Sequence, residues 1–92
     1  MSALIGKEVL YSGRVQGVGF RQSVYSLAGR QRVTGFVQNL DNGKVRLVLE
    51  GEVGEVEGLL ADVRRLWSEN ISEVQTTNLK TIEATSQFGI RH

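Results

Sequence analysis

The 92-residue chain contains no cysteine and no proline, and its one histidine is the last residue, His92. Without cysteine there is no disulfide, no thiol nucleophile and no thiolate metal centre, and nothing calls for an oxidising compartment. Without proline, refolding has no prolyl-isomerisation phase. A terminal histidine is a poor metal ligand because chain ends fray, and no Asp/Glu cluster has the spacing that demands a cation, so no metal is expected. Net charge is scarce as well: eleven Lys and Arg stand against ten Asp and Glu, a formal +1. That balance argues against a broad basic face for a nucleic-acid backbone and leaves room for a local anion pocket. No apolar run approaches a membrane span, and residues 1–7 are too short and too mildly apolar for a secretory signal, so a cytoplasmic location is expected. The sequon Asn70-Ile71-Ser72 then carries no meaning for glycosylation.

What remains is ordinary globular material, 40% hydrophobic and 23% charged. A chain of this length forms one domain, residues 1–92, which buries about 60 to 65% of its unfolded surface and is of modest stability.

The most informative stretch is Gly13-Arg14-Val15-Gln16-Gly17-Val18-Gly19-Phe20-Arg21, between a strand pattern and a helix pattern. Gly17 and Gly19 let the chain turn tightly and bring main-chain N–H groups close to a ligand. The unpaired N–H groups that open a helix add donors and a positive dipole end, and Arg21 adds a fork of charged donors matched to phosphate or carboxylate oxygens. The run reads as an anion cradle. It lacks the Gly-Lys-Ser/Thr ending of a P-loop, and Gln22 stands where a dinucleotide loop would place its third glycine, which argues against a nucleotide site. On the glycines alone, a plain strand-to-helix turn with a solvated Arg21 is an equal reading.

A second run shifts that balance: Gly35-Phe36-Val37-Gln38-Asn39-Leu40-Asp41-Asn42-Gly43-Lys44-Val45, followed after five residues by Gly51. Together the two runs resemble the signatures of the acylphosphatase family, G-x-V-Q-G-V-x-F-R and G-[aromatic]-V-x-N-x-x-x-G-x-V-x-x-x-x-x-G, at every fixed position. Phe88 and Ile90 fall where that family has its final strand, so the resemblance covers almost the whole chain. It implies metal-independent hydrolysis of a small acyl phosphate to a carboxylate and inorganic phosphate, with no cofactor. It also implies roles for the residues. Backbone N–H groups of Gln16, Gly17, Val18, Gly19, Phe20 and Arg21 hold the phosphoryl oxygens, the Arg21 guanidinium pairs with them, and Asn39 positions the attacking water. Without the rest of its signature, Asn39 would read as a polar residue beside a hairpin. The chain departs from the family at residues 68–72, which have no Gly-Pro step, and at Gly19, where relatives often carry a bulkier residue.

Elements follow from periodicity. Residues 7–15 alternate Val9, Tyr11, Gly13 and Val15 against Glu8, Leu10, Ser12 and Arg14, as in a half-buried strand. Phe20, Val24, Leu27 and Ala28 recur at helical spacing up to Gly29, which with Arg30 and Arg32 suits a helix end. Residues 33–40 and 44–50 flank a hairpin turn in which Asn42-Gly43 supplies positive φ. Val56, Leu59, Leu60, Val63, Leu66 and Trp67 mark one face of a second helix, with Glu52 and Glu55 near its positive end and Arg64 and Arg65 near its negative end. Residues 74–82 form a weak strand pattern, blurred by threonines, and residues 87–91 a short final one. Trp67, Tyr11 and Tyr25 stand at apolar periodic positions and read as core or half-buried.

The order β-α-β-β-α-β plus a terminal strand points to a ferredoxin-like split βαβ sandwich, α+β in class. It has an antiparallel sheet in the order 4-1-3-2, with two helices on one face. The cradle and Asn39 then share one end of the sheet. The same architecture hosts RNA-binding domains, and Gly35-Phe36-Val37 faintly resembles an RNA-recognition strand. The third strand, however, offers Val45, Leu47 and Val48 in place of exposed aromatics, so no nucleic-acid partner is expected. A monomer is expected, with no membrane partner. The alternative function is a non-catalytic phosphate- or carbamoyl-phosphate-binding module, because acylphosphatase-like domains also occur inside larger carbamoyl-phosphate-handling maturation proteins.

Overall fold

The computed structural model describes residues 4–80 and 87–91. Its elements are β1 (Leu4–Gly13), α1 (Phe20–Ala28), β2 (Val33–Asn39), β3 (Val45–Glu52), α2 (Val53–Leu66), β4 (Ile71–Leu79) and β5 (Phe88–Arg91). The sheet order is β4-β1-β3-β2-β5. The four longer strands pair antiparallel in the expected order, and β5 joins the outer edge of β2 as a parallel strand, making the sheet mixed. The direction of β5 follows from the sheet itself. β4 runs opposite to β1, and hence to β2, so a chain that reverses after β4 and reaches the far edge runs alongside β2.

Alternation decides which face of the sheet is covered. Val9 and Tyr11 of β1, Val37 of β2, and Val45, Leu47 and Leu49 of β3 lie on the helix side, where Val24 and Leu27 of α1 and Val56, Leu59 and Val63 of α2 close over them. Most of these side chains are fully buried, each contributing about 1.5 to 3 kcal/mol of hydrophobic stabilisation. Gly35 lies in the middle of β2 at φ +132°, where a Cβ would lie 1.9 Å from the carbonyl oxygen of Val48. Only glycine allows β2 and β3 to approach that closely there.

Several boundaries differ from the sequence reading, each for a local reason. β1 begins earlier, because Leu4 and Ile5 already pair with β3. It ends earlier as well, because the register with β4 slips between Ser12 and Gly13, and Arg14 and Val15 leave the ladder. β4 starts at Ile71 and is paired along its length with β1 despite its blurred pattern, since an edge strand needs backbone partners more than apolar alternation. Residues 81 and 82 of the expected strand, like His92, lie outside the described residues. α1 does end at Gly29, but in right-handed geometry, φ −64°, its N–H bonded back to Tyr25, so no left-handed cap is used. In the hairpin only Gly43 has positive φ. Gly43 N–H donates to Leu40 O at 3.2 Å and Leu40 N–H to Lys44 O at 2.8 Å, a three-residue loop with one left-handed glycine. Leu66 is 55% exposed at the end of α2, and Tyr25 is 44% exposed, so neither belongs to the core expected of it. Tyr11 is buried and Trp67 half-buried, as expected. Among the described residues no helix is long and apolar enough to cross a membrane.

Candidate active site

β1 and β2 both run antiparallel to β3, so their C-terminal ends lie at the same end of the sheet. The loop after β1 leads into α1, and β2 ends at Asn39. Counting alternate residues from the buried Val33 and Val37, Asn39 falls on the helix side, under the start of α1. A cleft of about 350 Å³ opens there, lined by Val15, Gly17, Gly19, Phe20, Arg21, Gln22, Asn39 and Ile90. The two sequence runs therefore meet, as expected.

The cradle's conformation suits an anion. Gly17 (φ +76°) and Gly19 (φ +86°) are left-handed and flank Val18, while among the described residues no non-glycine residue has positive φ. Where left-handed residues alternate with right-handed ones, successive N–H groups turn toward one side, an arrangement that suits a negative group. Gly19 is the N-cap of α1 with no side-chain cap, and its carbonyl accepts the Ser23 N–H at 3.0 Å. The N–H groups that open a helix precede its internal bonding pattern, and the helix dipole adds positive character at the same point. No acidic side chain occupies the first turn of α1 to cancel it.

Beneath the loop, Phe20 is clamped between two rings. Tyr11 and Trp67 each meet it edge-on with centroids 5.2 Å apart. Trp67 also donates through Nε1 to Ser23 Oγ at 2.9 Å, tying the end of α2 to α1. Burial holds the Tyr11 hydroxyl well above the usual phenol range, with the Arg64 charge drawing it partly back, so the ring stays neutral in the core. The loop is held at its flanks too. Arg14 N–H donates to Asn70 O at 2.8 Å, and Asn70 Nδ2 returns a bond to Arg14 O at 3.0 Å. Residues 68–72, where the Gly-Pro step is missing, therefore brace the cradle through Asn70. On the other flank, Gln16 Nε2 donates to Leu40 O at 2.8 Å and to Lys44 O at 2.9 Å.

Gly17, Gly19, Phe20, Arg21 and Asn39 line the cleft. Gln16 and Val18 do not: the Gln16 side chain is bound to the hairpin and Val18 is exposed, which leaves their backbone groups alone as candidate ligands. Val15, Gln22 and Ile90 line the cleft without having been singled out. Ile90 lines it because β5 pairs with β2 and ends next to Asn39. Arg21 is half-buried in the first turn of α1. The Asn39 side-chain carbonyl is buried and has no hydrogen-bond partner in the protein, and an orphaned acceptor of this kind costs about 1 to 3 kcal/mol. Among the described residues, no group of three or more His, Cys, Asp or Glu side chains is placed to hold a metal ion.

Comparison with known proteins agrees with this geometry. The family model for acylphosphatase matches residues 7–90. An acylphosphatase of Methylococcus capsulatus is 39% identical over 80 residues, 87% of this chain and 85% of that protein. The crystal structure of acylphosphatase from Bacillus subtilis superposes with a TM-score of 0.84 at 26% identity, covering 96% of this chain and 99% of that one. Full-length HypF, in its phosphate- and nucleotide-bound form, superposes with a TM-score of 0.83 at 26% identity, covering all of this chain and 12% of that one. The chain belongs to the acylphosphatase family.

Proposed function

We propose that this single-domain chain hydrolyses acyl phosphates by in-line attack of one water, without a metal or other cofactor. The backbone N–H groups of residues 16–21 and the Arg21 guanidinium hold the phosphoryl oxygens. They supply in fixed form the counter-charge that other phosphoryl-transfer enzymes take from magnesium. Asn39 orients the nucleophile. Its amide is too weakly basic to take the proton, but its carbonyl accepts from water and its NH₂ donates, which sets a line of attack. The leaving carboxylate, with a free pKa of about 4 to 5, needs no protein acid, so a site without a titrating side chain suffices. The proton goes to a phosphoryl oxygen of the substrate. The protein acts as a cytoplasmic monomer on a small molecule.

The observation that carries this reading is that Asn39 lines the same cleft as Gly17, Gly19 and Arg21. A water in that cleft, oriented by the Asn39 amide, faces the phosphoryl group. Benzoyl phosphate should therefore be hydrolysed at an unreduced rate in excess chelator. Phosphate monoesters, whose alkoxide leaving group needs an acid, should be poor substrates. A rate that collapses on chelation, or comparable turnover of a monoester, contradicts the proposal. The likeness to a segment of HypF supports a second reading, a phosphate-binding module without turnover, which the same assay separates by the release of carboxylate.

A further inference from the structure

Gln16 stands within the cradle run, yet its side chain serves another element. Both protons of its Nε2 are used, one on Leu40 O at 2.8 Å and one on Lys44 O at 2.9 Å, 24 and 28 residues further along the chain. These two carbonyls already close the β2–β3 hairpin, accepting from Gly43 N and Leu40 N respectively. The hairpin therefore closes through its own backbone; what Gln16 adds is the placement of that hairpin relative to the loop after β1. Leu40 follows Asn39, and Lys44 precedes Val45, the residue paired with Asn39 across the ladder. The amide thus grips the chain on both sides of the Asn39–Val45 pair.

Asn39 makes this placement matter. Its side-chain carbonyl has no protein partner, so no hydrogen bond to that atom sets its distance from the cradle. We propose that Gln16 is a positioning residue, whose amide locks the hairpin carrying Asn39 against the cradle carrying the phosphoryl group. This rests on the reading of Asn39 as the water-orienting group. A misplacement of about 1 Å between nucleophile and electrophile is worth up to roughly a hundredfold in rate, while the cradle's own donors are untouched.

Gln16→Ala should therefore lower kcat for benzoyl phosphate about 10- to 100-fold, with KM and calorimetric affinity for inorganic phosphate within about threefold of wild type. In an Asn39→Ala background the same change should alter kcat less than about threefold, because it acts through a group already removed. Gln16→Glu keeps the shape and removes both donors. Its carboxylate faces two carbonyls, which raises its pKa, so its activity relative to wild type at the same pH should recover as the pH falls and one O–H donor returns. This variant also serves if Gln16→Ala does not fold. Wild-type kcat in Gln16→Ala or in Gln16→Glu at neutral pH, equal losses in both backgrounds, or phosphate affinity falling in parallel with kcat would each overturn the proposal. A fully active Asn39→Ala enzyme would instead remove the reading beneath it, so the two failures are separable.

Discussion

Gly35, in the middle of β2, and Gly17, in the loop after β1, both have positive φ, but their surroundings are opposite. A Cβ on Gly35 would meet three main-chain atoms of β3 within 3 Å, whereas one on Gly17 would meet nothing within 4 Å. The centre of the sheet is fixed by sterics, by two strands too close for any side chain. The cradle is fixed by conformation and by ties at its margins: Phe20 held between Tyr11 and Trp67, Arg14 against Asn70, and Gln16 against the hairpin. The space above Gly17 is open, with nothing packed into it. Tight packing is thus concentrated in the sheet and open space at its end.

Substitutions on either side test that contrast. The largest effect is expected for Gly35→Ala, whose Cβ cannot fit without parting β2 from β3. It should cost at least about 4 kcal/mol and abolish cooperative thermal unfolding. A folded Gly35→Ala protein would show that the strands can move apart. Next, Arg21→Ala should cut turnover by about 10³-fold or more and eliminate the stabilisation conferred by phosphate. If phosphate protected this variant as well as wild type, Arg21 would not be in the anion site. Gly17→Ala should be milder, costing about 1 to 2 kcal/mol for holding a side chain in the left-handed region and weakening phosphate binding by calorimetry. A loss as large as that of Gly35→Ala would break the contrast between the two regions.

The smallest effect belongs to the core beneath the cradle. Burial raises the folded-state pKa of Tyr11 above its unfolded value of about 10, so the unfolded chain gives up this proton first. Stability should therefore fall as the pH rises above about 10 and stay flat with respect to this group below that. Tyr11→Phe should lessen the alkaline loss measured by urea titration. An unchanged slope would mean that the hydroxyl is not desolvated in the fold.

The sequence carried the parts of the site that depend on local chemistry. The two glycine-bearing runs singled out Arg21 and Asn39, and hydrophobic alternation with right-handed crossovers brought them to one end of the sheet, where both line one cleft. Parts that depend on distant partners were not legible. Gln16 reads as one more cradle residue until its amide is seen on carbonyls in the hairpin. Ile90 enters the cleft because β5 pairs with β2, and a four-residue strand has too little pattern to announce its neighbour. β4 was blurred because an edge strand of threonines is held by backbone pairing with β1, and Tyr25 misled because its helical position faces solvent.

The account turns on Asn39 touching water and not phosphate, and kcat for benzoyl phosphate measured together with phosphate affinity in Asn39→Ala tests this most directly. A fall in kcat of about 10²-fold or more, with phosphate affinity within about threefold of wild type, is the expected result. Because the substitution also removes an orphaned acceptor, it should not destabilise the fold. An Asn39→Ala enzyme that hydrolyses benzoyl phosphate at the wild-type rate would contradict the account and leave Asn39 as a polar residue at the end of a strand.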